Sequence, residues 1–596
     1  MRFNPANVKI QLVSNMDTAF EFLDWIKHVP DQLIGLDVET DGLDWYDGKL
    51  RLVQFGTLTE GWAVPYEDYP ALVKEALRIL SDRSKFFVTH NGKFDLHFIE
   101  RNTDWLPKEW RFLHDTMLMA AVLNSSGSKA LKDLSEAFVW PGAKRWQSSL
   151  KDDMKNGGWE WGTVPIDLPS YWIYGVLDTI LTVHLFYVLY EKCISAGTME
   201  AYENERAATP GLYYIERNGM LLDAEHTREQ QSKLHGRCSE IEKGVTQYGI
   251  ENIQSTSQIA LALLDAGVVL TEKTDSGKWK MDKDTFDLIA ATNDHPLVNM
   301  VKEHRSATKM ASTYYGNFLT YQRSDGRCHP FYRPVVARTG RMSADMPAIL
   351  TVPRPGTNSE VRNSFVADEG NLLISTDFSN VEARVFAHFA REEGMLDAFR
   401  RGVDLHSYTA KEIFRLDQMA AKDDPLRQIA KNALFCTLFG GGASKVAITA
   451  GVSLAEGERA IQGLFAAFPG IKTFQKLTIQ TATDNLKAHG SAFVRGIDGR
   501  ILAMVETDDR YYAFTNWQIQ SAACVILKKR LAVLHAMDLT QFLVAAIHDE
   551  VVAEIPEDFV DEYKVLVKEA MEDHELLSVP IISATGDPAV RWGDAK

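Results

Sequence analysis

Near the C-terminal end of this 596-residue chain, the apolar runs LVAAI (543–547) and VVAEI (551–555) flank His548-Asp549-Glu550. Two short apolar runs around a brief polar break predict an antiparallel hairpin with a three-residue turn and an acid at its tip. An acid in a tight turn is usually only a turn residue. A second acid has a similar setting. LLIST (372–376) reads as a strand that ends at Asp377, and DFSNVEARVFAHFA (377–390) then turns helical, with Glu382 near the helix start. Two strand tips that each carry an acid are a candidate site for phosphoryl transfer assisted by hard cations.

A third element strengthens that reading. In RQIAKNALFCTLFGG (427–441), Arg427, Lys431, Phe435 and Phe439 recur every four residues. On a helix they form a slowly drifting stripe about 18 Å long, at about 1.5 Å per residue. Two cations followed by two rings suit a nucleoside triphosphate, with phosphates at one end and base stacking at the other. The plainer alternative is an amphipathic helix whose two phenylalanines are core.

A separate set of acids lies early in the chain. Asp37 and Glu39 end the apolar run LIGLDV and share one side of an extended chain. Asp95 lies in NGKFD (91–95), just after the strand-like KFFVTH (85–90). Tyr174 and Asp178 are four apart and share a helix face. Four carboxylates and a phenol from three distant segments are suited to a pair of hard cations. Each piece alone is weak; the ordered triple DxE, NxxxD, YxxxD is much stronger.

Around these motifs the chain reads as several compact units. Residues up to about 195 are mixed α/β, with strand-like segments over 50–64 and helical patterns over 111–136 and 170–195. Residues 199–250 and 285–322 read as helical, 326–338 as strand and turn, and 379–490 as almost wholly helical. No apolar stretch of about 18 residues is evident, so no membrane span is expected. The N-terminal segment has no apolar core of a signal sequence. The five cysteines are scattered without a CxxC pair, which fits a reducing, cytoplasmic setting rather than zinc or disulfides. The formal charge of −17 argues weakly against a protein that coats DNA, but not against an enzyme with a local basic cleft.

The early triple resembles the proofreading 3′–5′ exonuclease domain of the DEDDy class. That likeness implies metal ligation by Asp37, Glu39, Asp95 and Asp178, with Tyr174 orienting water. It also casts Leu43 as an apolar wedge against the terminal bases; a core leucine is the alternative. DFSNVEAR, RQIAKNALFCTLFGG and HDE resemble motifs A, B and C of family A DNA polymerases, the bacterial DNA polymerase I group. ERNGMLLD (216–223), NIQSTSQIA (252–260), ARTGRMS (337–343) and NWQIQSAA (516–523) extend the likeness essentially end to end.

The resemblance implies an RNase H-like α/β exonuclease domain over 1–195 and a right-hand polymerase domain over 196–596. The thumb would cover about 205–325, the palm about 326–395 and 500–596, and the fingers about 396–499. It implies two Mg²⁺ ions at each site, with Mn²⁺ as a substitute, and primer–template DNA and dNTPs as partners. Asp377 and Asp549 would hold the metals, with Glu550 beside them, and Glu382 would exclude a 2′-hydroxyl. Arg427 and Lys431 would hold the triphosphate, Phe435 the sugar and Phe439 the templating base. His548, Arg341, Asn516 and Gln520 would lie against the primer and template. A monomer in the cytoplasm, the host's if phage-encoded, is expected, without a 5′-nuclease domain. Three departures stand out: Phe439 replaces the usual tyrosine, PAILTVP (347–353) replaces PNLQNIP, and Tyr512 stands where arginine is frequent.

Overall fold

The computed structural model describes residues 3–353, 359–438 and 440–595. Among these, six strands form the first sheet: β1 (Lys9–Leu12), β2 (Leu33–Thr40), β3 (Leu50–Gly56), β4 (Glu60–Pro65), β5 (Phe86–Thr89) and β6 (Leu113–Asp115). Their spatial order is β1-β4-β3-β2-β5-β6. β3 runs antiparallel to both β2 and β4, and the remaining pairs are parallel. The inner strand β2 is nearly continuous in apolar residues because both of its faces are covered.

Three helices complete the site end of this layer: α1 (Gly92–Thr103), α2 (Leu131–Phe138) and α3 (Pro169–Ala196). α3 lies directly on the sheet, and glycines permit the close approach. A Cβ at Gly35 would fall 2.5 Å from the Thr179 carbonyl oxygen, and one at Gly56 would fall 2.2 Å from Thr179 Oγ1. Asp178 is therefore seated immediately over β2. By length and composition α3 could cross a membrane, contrary to the sequence expectation that no such stretch exists. Yet 72% of its most apolar window is buried inside the fold, so it serves as a core helix.

The segment 111–136 is not helical throughout. Trp110–Phe112 is a 3-10 turn, β6 follows, and the helix Thr116–Leu123 precedes α2. A three-residue edge strand is too short for its alternation to show against neighbouring helices.

The helix α4 (Met199–Asn218) joins the two halves. It packs against α7 (Ala513–Ala536), and Lys528 Nζ donates to both Glu205 oxygens at 2.7 Å. Arg500 adds a contact to Glu205 at 2.8 Å and one to Asp498 at 2.7 Å. All four side chains are buried. Two cations and two anions balance here, and removing one would leave an uncompensated buried charge at a cost of about 3–5 kcal/mol.

After a short strand, Met220–Leu222, the helices Ala224–Val245, Thr256–Asp265, Lys283–Thr292 and Pro296–Lys309 build a region with its own core around Ile241, Leu263, Phe286 and Val301. The second large sheet comprises β7 (Asn371–Phe378), β8 (Leu543–Ile547), β9 (Glu550–Pro556) and β10 (Ser583–Thr585), ordered β8-β9-β7-β10 and antiparallel throughout. Ile547 pairs with Glu550, so the hairpin turn has two residues rather than three. His548 takes φ 57°, in the left-handed region uncommon for a non-glycine residue. A helical layer follows β7, including α5 (Val381–Ala390) and α6 (Pro425–Leu438). The sheet and these helices share one core, which runs through Phe386, Leu434, Ile526 and Val552.

Candidate active sites

The second sheet brings its two acids together. The Phe378 N–H donates to the Asp549 carbonyl at 3.1 Å, which fixes the hairpin tip beside the end of β7. Asn380 at φ 55° turns the chain from that strand into α5, so Glu382 enters in the first turn of the helix. A cavity of about 650 Å³ opens here. Asp377, Asp549, His548, Glu382, Arg341, Lys431 and Phe435 line it, together with Ala523 and Cys524 of α7.

Arg341 and Glu382 form an ion pair within this cavity. Lys431 and Phe435 face it from α6, and the Phe435 ring centroid lies 5.6 Å from that of His406. His406 was not singled out in the sequence, although it also lines the cavity. Burial pulls its imidazole down to about 4, with Asp404 pulling the other way, so it is neutral near pH 7.

The predicted stripe is only partly realised. Arg427 binds Asp404 through two bonds of 2.9 and 3.1 Å and does not line the cavity. Burial pushes the Asp404 carboxyl up, but Arg427 and the Ser407 N–H outweigh it and hold the group well below the usual range. Phe439 lies outside the described residues.

Glu550 is half-buried and accepts from Arg362 Nη1 at 3.2 Å through both oxygens. It does not line the main cavity but an adjoining hollow of about 410 Å³, which Arg362 and Asp587 line and which Asp377 and Asp549 also border. The Arg362 guanidinium is itself held 4.2 Å above the Trp592 ring.

Asn516 and Gln520 lie on α7, N-terminal to the cavity-lining Ala523 and Cys524, and neither lines the cavity. Leu350 is buried and lines it, whereas Thr351 is exposed in the short turn Ile349–Thr351. Tyr512 is exposed, near Gly440.

The first sheet assembles a different kind of site. Asp37 and Glu39 project from β2, Asp95 from the first turn of α1, and Tyr174 and Asp178 from α3. Asp115 helps place α1. Its carboxylate accepts from the N–H groups of Asn91 at 3.2 Å and Gly92 at 2.9 Å, and Asn91 adopts φ 67° at the helix start. Asp95 Oδ1 accepts from the Val38 N–H at 3.1 Å, which ties α1 to β2 between the two acids of that strand.

Glu39, Asp95 and Asp178 are buried. Burial pushes the Asp37 carboxyl up to about 7, with Lys132 pulling the other way. Burial, then the Asp37 charge, pushes Glu39 and Asp95 well above the carboxylate range. The Tyr174 hydroxyl is raised by burial and by Glu39 and Asp37, so it stays protonated.

Lys132 was not anticipated. It is buried on α2, forms an ion pair with Asp178, and places its ammonium 4.3 Å from the Tyr174 ring centroid. Burial pulls it down to about 7 against the pull of Asp37 and Glu39. Nothing in LKDLSEAF (131–138) marks its second residue as different from a solvated helix lysine. Leu43 is 66% exposed, so the core alternative does not hold.

Among the described residues no group of three or more His, Cys, Asp or Glu side chains is disposed to hold a metal ion. At the hairpin, the third acid, Glu550, is drawn to Arg362. At the first sheet, Lys132 stands among the acids. The residue types nevertheless suit hard cations at both places. Buried carboxylates held above their ordinary range need a counter-charge to ionise. Two acids facing an open cavity leave room for further oxygen ligands from a substrate.

Fold and sites together define a chain of two catalytic types: an α/β unit with a buried acid cluster, and a palm-like sheet whose acids face an open cleft beneath helices. Comparison with known proteins makes this specific. The profile of DNA polymerase family A matches residues 224–594, and that of the 3′-5′ exonuclease family matches residues 13–193. The DNA polymerase of Mycobacterium phage D29 is 31% identical over 92% of this chain and 91% of its own length. That of Mycobacterium phage L5 is 28% identical over 94% and 93%. DNA polymerase I of Pseudomonas aeruginosa is 27% identical over 96% of this chain and 64% of its own. The POL domain of Pol1 from M. smegmatis, solved in complex with DNA primer-template and dNTP, shares the fold. Its TM-score is 0.81 at 22% identity, covering 98% of this chain and 100% of that one. The chain belongs to DNA polymerase family A and carries a 3′-5′ exonuclease domain.

Proposed function

We propose that the chain extends a DNA primer on a template from dNTPs and removes mispaired 3′ ends, using a pair of divalent ions at each site. One observation carries the synthetic half: Asp377 and Asp549 line the same cavity as Lys431, Phe435, Glu382 and Arg341. Asp377 and Asp549 would hold ions at one site, and Asp37, Glu39, Asp95 and Asp178 at the other. Mg²⁺ at these positions, or Mn²⁺ in its place, would supply Lewis-acid polarisation of phosphoryl oxygens and activation of the attacking oxygen.

The chain's own groups do the rest. Lys431 meets the triphosphate from α6, and Phe435 packs against the sugar. Glu382, held by Arg341, occupies the position that a ribose 2′-hydroxyl would need. Arg427 supports this helix through Asp404, and reaches phosphate only after that pair opens. Glu550 fixes the hairpin through Arg362 rather than entering the cavity. Phe439, where the family usually has tyrosine, is assigned to the templating base. His548, Asn516 and Gln520 contact the primer terminus and template, and Leu350, with no polar side-chain atom, cannot make the usual polar minor-groove contact at that position. At the other site, the protonated Tyr174 orients the attacking water, and exposed Leu43 wedges against the end of the strand. A frayed terminus reaches this site as a single strand because its unpairing costs least.

The proposed domain boundary near residues 195 and 196 falls where α3 ends at Gly197, which adopts φ 66°. Within the polymerase, α4 is tied to α7 through Glu205 and Lys528. The thumb, palm and fingers follow the limits given above, with the thumb over about 205–325. A monomer acting in the cytoplasm completes the reading.

Primer extension tests it, with matched and 3′-mismatched labelled primers in Mg²⁺, with and without dNTPs. Extension of the matched primer, and trimming of the mismatched one before extension, is expected. Trimming without extension would remove the synthetic half.

A further inference from the structure

The acid cluster of the exonuclease domain contains a side chain that neither the sequence motif nor the proposed mechanism uses. Lys132 reaches it from α2, a separate helix. It is 6% exposed, against 8% for Glu39, 3% for Asp95 and 5% for Asp178. Its ammonium pairs with Asp178, interacts with Asp37 and Glu39, and lies 4.3 Å from the Tyr174 ring centroid. It therefore faces three of the four acids assigned to metal, together with the phenol assigned to water. A buried lysine is costly unless paired, and so is a buried carboxylate cluster. Here each neutralises part of the other. A cation added to the same acids at short range would repel the ammonium.

We propose that Lys132 is a built-in counter-cation that competes with divalent ions for the exonuclease carboxylates. This rests on the reading that Asp37, Glu39, Asp95 and Asp178 hold those ions. The ammonium leaves Asp178 when an ion enters, and the Tyr174 face offers it a place to remain. Metal loading at this site is thereby weakened. At low divalent concentration the chain would trim little. Lys132 is then a positioning residue that sets the metal threshold of proofreading.

The test measures Mn²⁺ binding by electron paramagnetic resonance of the free ion. It uses the full chain carrying D377A and D549A, so that the exonuclease site is the one read. Lys132→Met should tighten Mn²⁺ binding by about tenfold or more through loss of a competing charge, and Lys132→Arg should not. In chains with the polymerase acids intact, Lys132→Met should lower the Mn²⁺ concentration for half-maximal trimming.

Binding by Lys132→Met no tighter than by the parent overturns the proposal. Asp37→Ala separates the two readings. If it abolishes binding while Lys132→Met leaves binding unchanged, only the role of Lys132 falls. If Asp37→Ala binds like the parent, the carboxylate assignment falls and this inference with it. Lys132→Gln provides a second variant. Melting temperatures in EDTA should be lower than the parent's for both neutral variants, with a larger rise on adding Mn²⁺. An equal rise in parent and variants counts against the proposal, as does failure of both to fold even with Mn²⁺.

Discussion

The two carboxylate sites differ in how each deals with negative charge. At the hairpin, Asp377 is exposed and Asp549 half-buried, and both border a cavity of about 650 Å³. At the first sheet, Glu39, Asp95 and Asp178 are buried, and Lys132 is packed among them. Solvent screens the first pair, whereas the second set relies on raised carboxyls and an internal cation. An open site can admit a duplex end and a nucleotide together. A closed one suits a single frayed strand and excludes bulk water from its acids. Two sites with the same proposed chemistry are thus separated by burial rather than by residue type.

The largest expected effect would break the comparison at its root. Asp549→Ala should lower primer extension by roughly 10³-fold or more while leaving trimming intact, and Asp37→Ala should do the reverse. Steady-state assays of both activities on each variant provide the check. If either change removes both activities, the sites are not independent.

Next come the groups that separate the open cavity from a plain metal site. If Lys431 holds the triphosphate as proposed, Lys431→Ala removes a charge-assisted bond to phosphate, and kcat/KM for dNTP should fall about 10- to 100-fold. Glu382→Ala should raise ribonucleotide incorporation by about tenfold or more. It also leaves Arg341 without its partner, so matched extension should slow modestly. Unchanged sugar selectivity in a competition assay would remove Glu382 from its assigned position.

What the sequence disclosed and what it hid follow one line. Asp377 and Asp549 were legible because strand ends are local features, and apolar runs of five residues locate them. The turn length was misjudged because Glu550 pairs with Ile547, which only cross-strand register decides. β6 was hidden by its three-residue length. Arg427 fitted a helical stripe, but its partner Asp404 is 23 positions away, and no local pattern carries that pairing. Lys132 was invisible for the same reason. Its helix looks amphipathic and ordinary, and its burial comes with the packing of α2 against α3, which no local pattern reports. Periodicity reports which face of an element is buried, not which charge meets it there.

The contrast extends to buried histidines around the sites. His97 faces α4 from the exonuclease helix α1, stacked on Trp45 at 4.1 Å and on Tyr213 at 4.2 Å, with Nε2 2.6 Å from Glu216. Burial pulls it down to about 4, although Glu216 pulls the other way. The ordinary value is about 6.5, so between these limits the unfolded chain binds the extra proton. Stability from this group is therefore complete above about pH 6.5 and lost as pH falls towards 4, by at most about 3 kcal/mol. His97→Gln keeps an N–H donor for Glu216 and cannot titrate. The loss of melting temperature between pH 7 and pH 5 should be smaller in that variant than in the parent. Equal losses would show that His97 does not carry the acid sensitivity of this junction.

The smallest effect concerns the mouth of the closed site. Leu43 is an exposed leucine that begins no core contact, so its removal should leave melting unchanged within about 0.5 kcal/mol. If it wedges against a strand end, Leu43→Ala forfeits apolar contact of about 1 kcal/mol, or roughly fivefold in trimming rate. The loss should be greater on a matched duplex terminus than on a single strand, because only the duplex must be prised open. A uniform loss on both substrates would assign Leu43 to strand binding rather than separation. No loss on either would make it an ordinary surface residue, leaving burial of the acids as the main determinant of which strand ends the site accepts.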